Sequence, residues 1–102
     1  MHINKYIYIF ISYIHKKGII HRDLKPQNLL VNNPLNDFDV KIIDFGLSTF
    51  LKVDKYLYPR CGTPGFVAPE IINYKDENQK YNEKCDVFSL GVIFFMMYYL
   101  FI

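Results

Sequence analysis

The stretch His21-Arg22-Asp23-Leu24-Lys25-Pro26-Gln27-Asn28 (residues 21–28) decides how the rest of the chain is arranged. It concentrates an imidazole, a guanidinium, a carboxylate, an ammonium and a carboxamide, and Pro26 restricts the backbone among them. Apolar segments precede and follow it, so we expect a polar loop between two buried elements. Groups that are so costly to remove from water are rarely concentrated without a charged ligand, and a metal-bound phosphate is such a ligand.

The segment before this loop has the spacing of an amphipathic helix. Apolar residues recur at steps of three and four, at Ile3, Ile7, Phe10, Ile11 and Ile14. Gly18 follows two lysines and is suited to a left-handed cap, so we expect the helix to end there. Ile19-Ile20 is then a short strand that leads into the loop.

The segment after the loop predicts a β-hairpin. Leu29-Leu30-Val31 and Val40–Ile43 are two apolar runs separated by a polar stretch that is too long for a tight turn. Asp44-Phe45-Gly46 ends the second run. Leu47–Gly65 shows no periodicity of either kind, and unstructured segments of this length in compact domains are usually functional.

The remainder predicts two helices. A short helix starts at Pro69-Glu70-Ile71-Ile72, with proline in its first turn, and Asn73–Lys84 is expected to be a solvated connector. Asp86 is expected to cap a final apolar helix. The uncharged run Val87–Ile102 is shorter than the roughly 20 residues that span a bilayer, so a buried core helix is favoured and membrane association is not expected.

Composition limits the class of protein. With 102 residues the chain forms one domain at most, and 51% hydrophobic residues are enough for a core. A net charge of +2 favours neither nucleic acid nor an anionic membrane as a partner. Two cysteines, Cys61 and Cys85, do not make a disulfide framework, so a reducing compartment and a cytoplasmic location are expected.

Three landmarks occur in a specific order: residues 21–28, Asp44-Phe45-Gly46 and Ala68-Pro69-Glu70. Together with the intervening hairpin, they make the chain resemble the protein kinases, and the likeness covers almost all of residues 1–102. The resemblance implies an α+β, mainly helical fold. It corresponds to part of the kinase C-lobe, with a helix, the catalytic loop, a short β-hairpin, the activation segment and an apolar central helix.

The resemblance also implies a site for ATP and Mg²⁺, and a protein substrate. Asp23 matches the carboxylate that orients the substrate hydroxyl and accepts its proton, and Lys25 matches the ammonium beside the transferred phosphate. Asn28 and Asp44 match the metal ligands, whose hard oxygens suit Mg²⁺. Leu30 matches the floor of the adenine pocket.

Other residues match supporting positions of the family. His21 is expected to pack against Phe45, which precedes Gly46 of the metal-binding motif, and Asp86 to brace the catalytic loop. Thr63 matches a threonine that hydrogen-bonds to Asp23 and Lys25. Glu70 matches a glutamate that pairs with an arginine of a later helix.

Arg22 matches the residue that receives a phosphorylated side chain of the activation segment. Here the sequence departs from the family, because the usual acceptor position holds Pro59 and Phe50–Arg60 contains neither serine nor threonine. Activation by Ser/Thr phosphorylation in this stretch is therefore not expected. Lys25 and Gly62-Thr63-Pro64 resemble serine/threonine kinases, and Cys61–Glu70 most resembles the calcium- and calmodulin-regulated class.

The 102 residues contain no glycine-rich phosphate loop or strand lysine, which a kinase needs to hold ATP. Three hypotheses remain open: an incomplete Ser/Thr kinase, a catalytically dead remnant that binds other proteins, and a membrane-associated peptide. We expect little phosphotransferase activity from these residues alone. An apolar final helix is expected to self-associate if it lacks covering neighbours.

Overall fold

The computed structural model describes residues 2–31, 40–75 and 79–100. Its helices are α1 (His2–Lys16), α2 (Pro69–Ile72) and α3 (Lys84–Leu100), with a short 3₁₀ turn at Pro26–Asn28. Its strands are β1 (Ile19–Ile20), β2 (Leu29–Val31), β3 (Val40–Ile42) and β4 (Thr49–Phe50). This confirms the predicted α+β, mainly helical architecture.

Helix α1 supplies one wall of the main core. Ile7, Ile11 and Ile14 are buried on the predicted face and pack with Leu90 and Ile93 of α3. Isoleucine has only moderate helix propensity, so this packing stabilises a helix that the isolated segment would form poorly. The helix ends as predicted, because Gly18 adopts a φ of 77°, which a side chain would disfavour.

Two small antiparallel sheets flank the loop of residues 21–28. Strands β2 and β3 pair with Leu29 opposite Ile42, which confirms the predicted hairpin. The connection at 32–39 lies outside the described residues. Strand β1 pairs with β4, which lies in the segment 47–65 for which the sequence predicted no regular element. That prediction is wrong because a strand of two residues carries no periodic signal.

Helix α3 has a buried side and an exposed side. Leu90 and Ile93 lie in the core, whereas Phe95, Tyr98 and Tyr99 are each more than 60% exposed. The expectation of a buried core helix is therefore met on one side of α3 only. Within the described ranges, no helix has the length and apolar character to cross a membrane.

A second core lies between β1, α2 and the start of α3, and it corrects two predictions. Tyr81 is only 7% exposed, so the stretch 73–84 is not a fully solvated connector. Asp86 is not an N-cap either, because α3 begins at Lys84 and the Asp86 side chain is fully buried. Asn82 Oδ1 instead accepts a hydrogen bond from the backbone N–H of Lys84, at 3.0 Å.

Candidate active site

Asp86 holds the start of the polar loop from the protein interior. Its Oδ1 accepts the backbone N–H of Arg22 at 2.9 Å, and its Oδ2 accepts that of His21 at 2.7 Å. The Nε2 atom of His15 lies 2.9 Å from the same Oδ2. These three donors compensate the cost of burying a carboxylate, so the loop and α3 are fixed to each other.

His21 ties the loop to the strand that precedes Asp44. Its Nδ1 accepts the backbone N–H of Asp23 at 3.1 Å, so Nε2 carries the proton and donates to the carbonyl of Ile43, also at 3.1 Å. The imidazole is fully buried and meets the edge of the Phe45 ring, with the ring centroids 4.9 Å apart. This is the contact that the resemblance implied for His21 and Phe45.

Thr63 joins the carboxylate of Asp23 to the ammonium of Lys25. Its hydroxyl donates to Asp23 Oδ1 at 2.7 Å and accepts from Lys25 Nζ at 2.9 Å. Lys25 Nζ lies 3.8 Å from Asp23 Oδ2, and both side chains remain partly exposed. One face of the site therefore presents an oriented carboxylate beside a positive charge, which can receive an anionic group and the hydroxyl that attacks it.

Asn28 and Asp44 form the other face. Asn28 donates from Nδ2 to the carbonyl of Asp23 at 2.8 Å, which orients its Oδ1 as the acceptor of the amide. The backbone N–H of Ile43 donates to the carbonyl of Asn28 at 2.9 Å, so Asp44, the next residue, lies beside Asn28. The Asp44 carboxylate is exposed, and among the described residues its hydrogen-bond donor is the backbone N–H of Gly46, which lies 3.2 Å from Oδ1.

An amide oxygen and an exposed carboxylate are a donor set that fits Mg²⁺, which is usually held by one or two protein oxygens together with substrate phosphates and water. Asp44 adopts a φ of 59°, a conformation that residues other than glycine adopt rarely. Such backbone strain is concentrated at functional sites, where the surrounding structure maintains it.

Leu30 and Glu70 stand apart from this cluster. Leu30, expected beneath an adenine ring, is 44% exposed on the β2–β3 hairpin. Glu70 lies exposed in the first turn of α2, and it forms no ion pair with any residue that the structure describes.

The Arg22 side chain donates hydrogen bonds to backbone carbonyls on both sides of β4. Its Nε donates to the carbonyl of Leu47 at 2.6 Å, and its two terminal nitrogens donate to the carbonyls of Leu57 and Tyr58 at 2.9 and 3.1 Å. One of them also donates to the hydroxyl of Tyr81 at 2.9 Å.

Sequence reasoning missed two residues of this arrangement. His15 directly follows the apolar residue Ile14, and Tyr81 lies in a polar stretch, so neither belongs to a periodic pattern. A polar aromatic group next to an apolar helix face was the only available signal for His15. No local signal marks Tyr81, since its partners are distant in sequence.

Comparison with known proteins gives a consistent result. A family model described as protein kinase domain matches residues 2–100. A probable serine/threonine-protein kinase of Dictyostelium discoideum, fhkB, is 44% identical over 92 residues, which are 90% of this chain and 8% of the relative. Probable serine/threonine-protein kinase 2 of Plasmodium falciparum is 46% identical over 91 residues, which are 89% of this chain and 17% of the relative.

Human calcium/calmodulin-dependent protein kinase type 1B is 45% identical over 87 residues, which are 85% of this chain and 24% of the relative. The chain therefore spans less than a quarter of the length of each of these relatives.

Proposed function

The chain belongs to the protein kinase domain family, of serine/threonine type, and we propose that its site serves the acceptor and metal side of phosphoryl transfer from ATP to protein hydroxyl groups. The observation that carries this proposal is the Thr63 bridge between Asp23 and Lys25, at 2.7 and 2.9 Å. Phosphoryl transfer requires mainly positioning and charge neutralisation, and this bridge positions an acceptor and a cation together.

Asp23 is the proposed catalytic base. Its Oδ1 is occupied by the Thr63 hydroxyl, so Oδ2 is the oxygen that can accept a hydrogen bond from a serine or threonine hydroxyl. The Asn28 side chain fixes the backbone of Asp23, since its Nδ2 donates to the Asp23 carbonyl. The carboxylate is therefore held in one orientation toward an incoming hydroxyl group.

Lys25 is the proposed electrostatic partner. Its ammonium is held by Thr63 and lies 3.8 Å from Asp23 Oδ2, where it can stabilise negative charge on the transferred group. Asn28 and Asp44 are the residues that would hold Mg²⁺, and Lys25 and Leu30 complete the proposed contacts with the nucleotide. Bound Mg²⁺ would neutralise phosphate charge at this site.

A decisive test places this chain in a kinase that supplies the missing nucleotide contacts. Residues 2–100 would replace the corresponding segment of calcium/calmodulin-dependent protein kinase type 1B, and transfer of labelled phosphate to serine and threonine peptides would be measured. We expect transfer by the chimera and its loss in an Asp23→Asn variant. A folded chimera that transfers no phosphate would contradict the proposal.

The 102 residues alone are expected to show little or no transfer, because they contain no glycine-rich phosphate loop. Turnover of Mg-ATP by the purified chain, abolished by Asp23→Asn, would show that this expectation is wrong.

We also propose that the chain associates with a second copy of itself through α3. The observation that favours this is the exposed aromatic face formed by Phe95, Tyr98 and Tyr99, where the Phe95 and Tyr99 rings lie 4.5 Å apart. Apolar surface of this kind is stabilised when a partner covers it.

A further inference from the structure

We propose that Tyr81 is a positioning residue, which holds the segment around residues 57–59 against Arg22 without any phosphate group. This inference rests on the proposed function, since the segment it concerns lies beside the Asp23 site. It goes beyond that function because it assigns the ordering of the segment to an aromatic hydroxyl that precedes α3.

The donors of Arg22 are already occupied by neutral acceptors. The hydrogen bonds to Leu47, Leu57, Tyr58 and Tyr81 use four of the five N–H groups that a guanidinium offers. The Arg22 side chain is buried, with the residue 5% exposed. Since one N–H group is left over, a phosphate group could make two hydrogen bonds to the guanidinium only by displacing at least one of these acceptors.

The hydroxyl of Tyr81 connects the two sides of this arrangement. It accepts from Arg22 at 2.9 Å and donates to the carbonyl of Pro59 at 2.8 Å, so a single oxygen joins the catalytic loop to the segment. Pro59 occupies the position where the family pattern places a phosphoacceptor. The link is therefore made to the backbone of the residue whose side chain cannot be phosphorylated.

Tyr81 is itself held in place. The hydroxyl of Tyr56 donates to the Tyr81 carbonyl at 2.6 Å, and the two rings lie 4.7 Å apart. The Tyr74 ring meets the Tyr81 ring edge to face, at 6.0 Å. The phenol thus has a fixed direction, and its hydrogen bonds require little further ordering.

Neutral groups surround the positive charge of Arg22 in the described part of the structure. In the described part of the chain, no carboxylate forms an ion pair with its guanidinium. The ring of Tyr56 lies 5.8 Å from the guanidinium carbon, which is within the range of a cation–π contact. Three carbonyl dipoles and this ring face surround the charge in place of an anion.

The backbone of the segment is strained at Tyr58, which adopts a left-handed φ of 52°. Tyr58 is 63% exposed, so packing of its side chain does not explain this conformation. Its carbonyl accepts from Arg22, as does that of Leu57. A left-handed conformation in a bulky residue persists only where other contacts determine it, and these two bonds are such contacts.

The test is native-state proteolysis of the purified, unphosphorylated chain by trypsin, with cleavage after Arg60 followed by mass spectrometry. We expect protection in the wild type, and cleavage on the order of tenfold faster in Tyr81→Phe, which loses both hydroxyl bonds but keeps the ring. Tyr74→Phe is the matched control, because its ring contacts Tyr81 and its hydroxyl makes none of these bonds; we expect cleavage within about twofold of wild type.

A double-mutant cycle separates positioning through Arg22 from a general structural role. If Tyr81 acts through Arg22, Tyr81→Phe should accelerate cleavage less in an Arg22→Gln background than in the wild type, since only the bond to Pro59 is then left to lose. Addition of inorganic phosphate to the wild type should leave the protection unchanged.

Three results would overturn the inference. They are rapid cleavage after Arg60 in the wild type, equal cleavage rates in wild type and Tyr81→Phe, and protection that rises when inorganic phosphate is added. An undiminished effect of Tyr81→Phe in the Arg22→Gln background would also contradict it. None of these measurements uses phosphate transfer, so an inactive chimera would count against the proposed function alone.

Discussion

The Nε2 atom of His15, at the end of α1, lies 2.9 Å from Oδ2 of Asp86, in the first turn of α3. A carboxylate can only accept hydrogen bonds, so His15 is the donor. The same carboxylate accepts the backbone N–H groups of His21 and Arg22. One buried side chain thus joins both long helices to the loop that carries Asp23.

Removal of this carboxylate should strongly destabilise the chain. In Asp86→Ala three buried donors lose their acceptor, and we expect the free energy of unfolding to fall by about 3–5 kcal/mol. Urea denaturation followed by circular dichroism measures this. Asp54→Ala, at an exposed position, is the control and should change the value by less than about 0.5 kcal/mol. Similar losses in the two variants would contradict the bracing role of Asp86.

Substitution by alanine should have opposite effects on stability at Gly62 and at Gly91. Gly62 has a φ of 116°, and a Cβ atom there would lie 2.7 Å from Val67 Cγ2 and 3.0 Å from the Arg22 carbonyl. Gly62→Ala should therefore lower the free energy of unfolding by about 1–3 kcal/mol. Gly91 lies within α3 with open space around its Cα, so Gly91→Ala should stabilise by roughly 0.5–1 kcal/mol. Thermal unfolding of both variants tests the two signs, and a stabilising Gly62→Ala would show that the segment is not held as described.

The hydroxyl of Thr63 should matter for catalysis more than for stability. In the chimeric kinase, Thr63→Val removes both bonds that orient Asp23 and Lys25, and we expect kcat to fall about 10- to 100-fold. Thr63→Ser keeps the hydroxyl and should retain most of the activity. Equal losses in the two variants would indicate that the methyl group, and not the bridge, is what the site requires.

The two cysteines should react slowly and in a fixed order. Burial raises the pKa of both the Cys61 and the Cys85 thiol above its ordinary value of 9.0, and Cys85 is only 2% exposed. Because the thiolate is the nucleophile, alkylation by iodoacetamide at pH 8 should be slower for Cys61 than for the unfolded chain, and slowest for Cys85.

The pH dependence of these thiols has a definite sign. Because the pKa of each thiol is raised in the folded state, the folded chain binds more protons than the unfolded chain above pH 9. The contribution of the two thiols to the free energy of unfolding is therefore present below that pH and declines above it. The Cys61 alkylation rate should still rise with pH near pH 9, where that of a free thiol levels off. A Cys61 alkylation rate that levels off at the same pH in the folded protein would contradict the burial of Cys61.

The exposed face of α3 should drive self-association. Tyr99→Lys places a charge in the aromatic pair with Phe95, and we expect it to lower the apparent mass seen in sedimentation at high protein concentration. Leu57→Lys is the control, since Leu57 is 71% exposed but lies far along the chain from this face. A wild-type chain that remains monomeric at all concentrations would contradict the proposed contact.

Much of the fold could be predicted because it depends on local patterns. The spacing of Ile7, Ile11 and Ile14 indicated α1 and its buried face, and Gly18 indicated where it ends. The paired apolar runs around residues 32–39 indicated the hairpin. These features follow from the period of 3.6 or 2 that each element imposes on its own residues.

The parts that could not be predicted depend on contacts between distant residues. Strand β4 exists because Thr49 and Phe50 pair with β1, which no pattern in those two residues indicates. An aspartate before an apolar helix indicates an N-cap, yet Asp86 serves buried partners more than sixty residues earlier in the chain. The motif indicated that Asp23, Lys25 and Thr63 meet, and the structure shows the atoms through which they do.

The central claim is that Asp23, Lys25, Asn28 and Asp44 face one metal-bound phosphate. Paramagnetic broadening by Mn²⁺-ATP of the backbone NMR signals of the ¹⁵N-labelled chimeric kinase, which supplies the nucleotide contacts, tests it most directly. We expect the signals of residues 23, 25, 28 and 44 to broaden together, and the effect to weaken in Asp44→Asn. Broadening at residue 44 that leaves residues 23 and 28 unaffected would contradict the account.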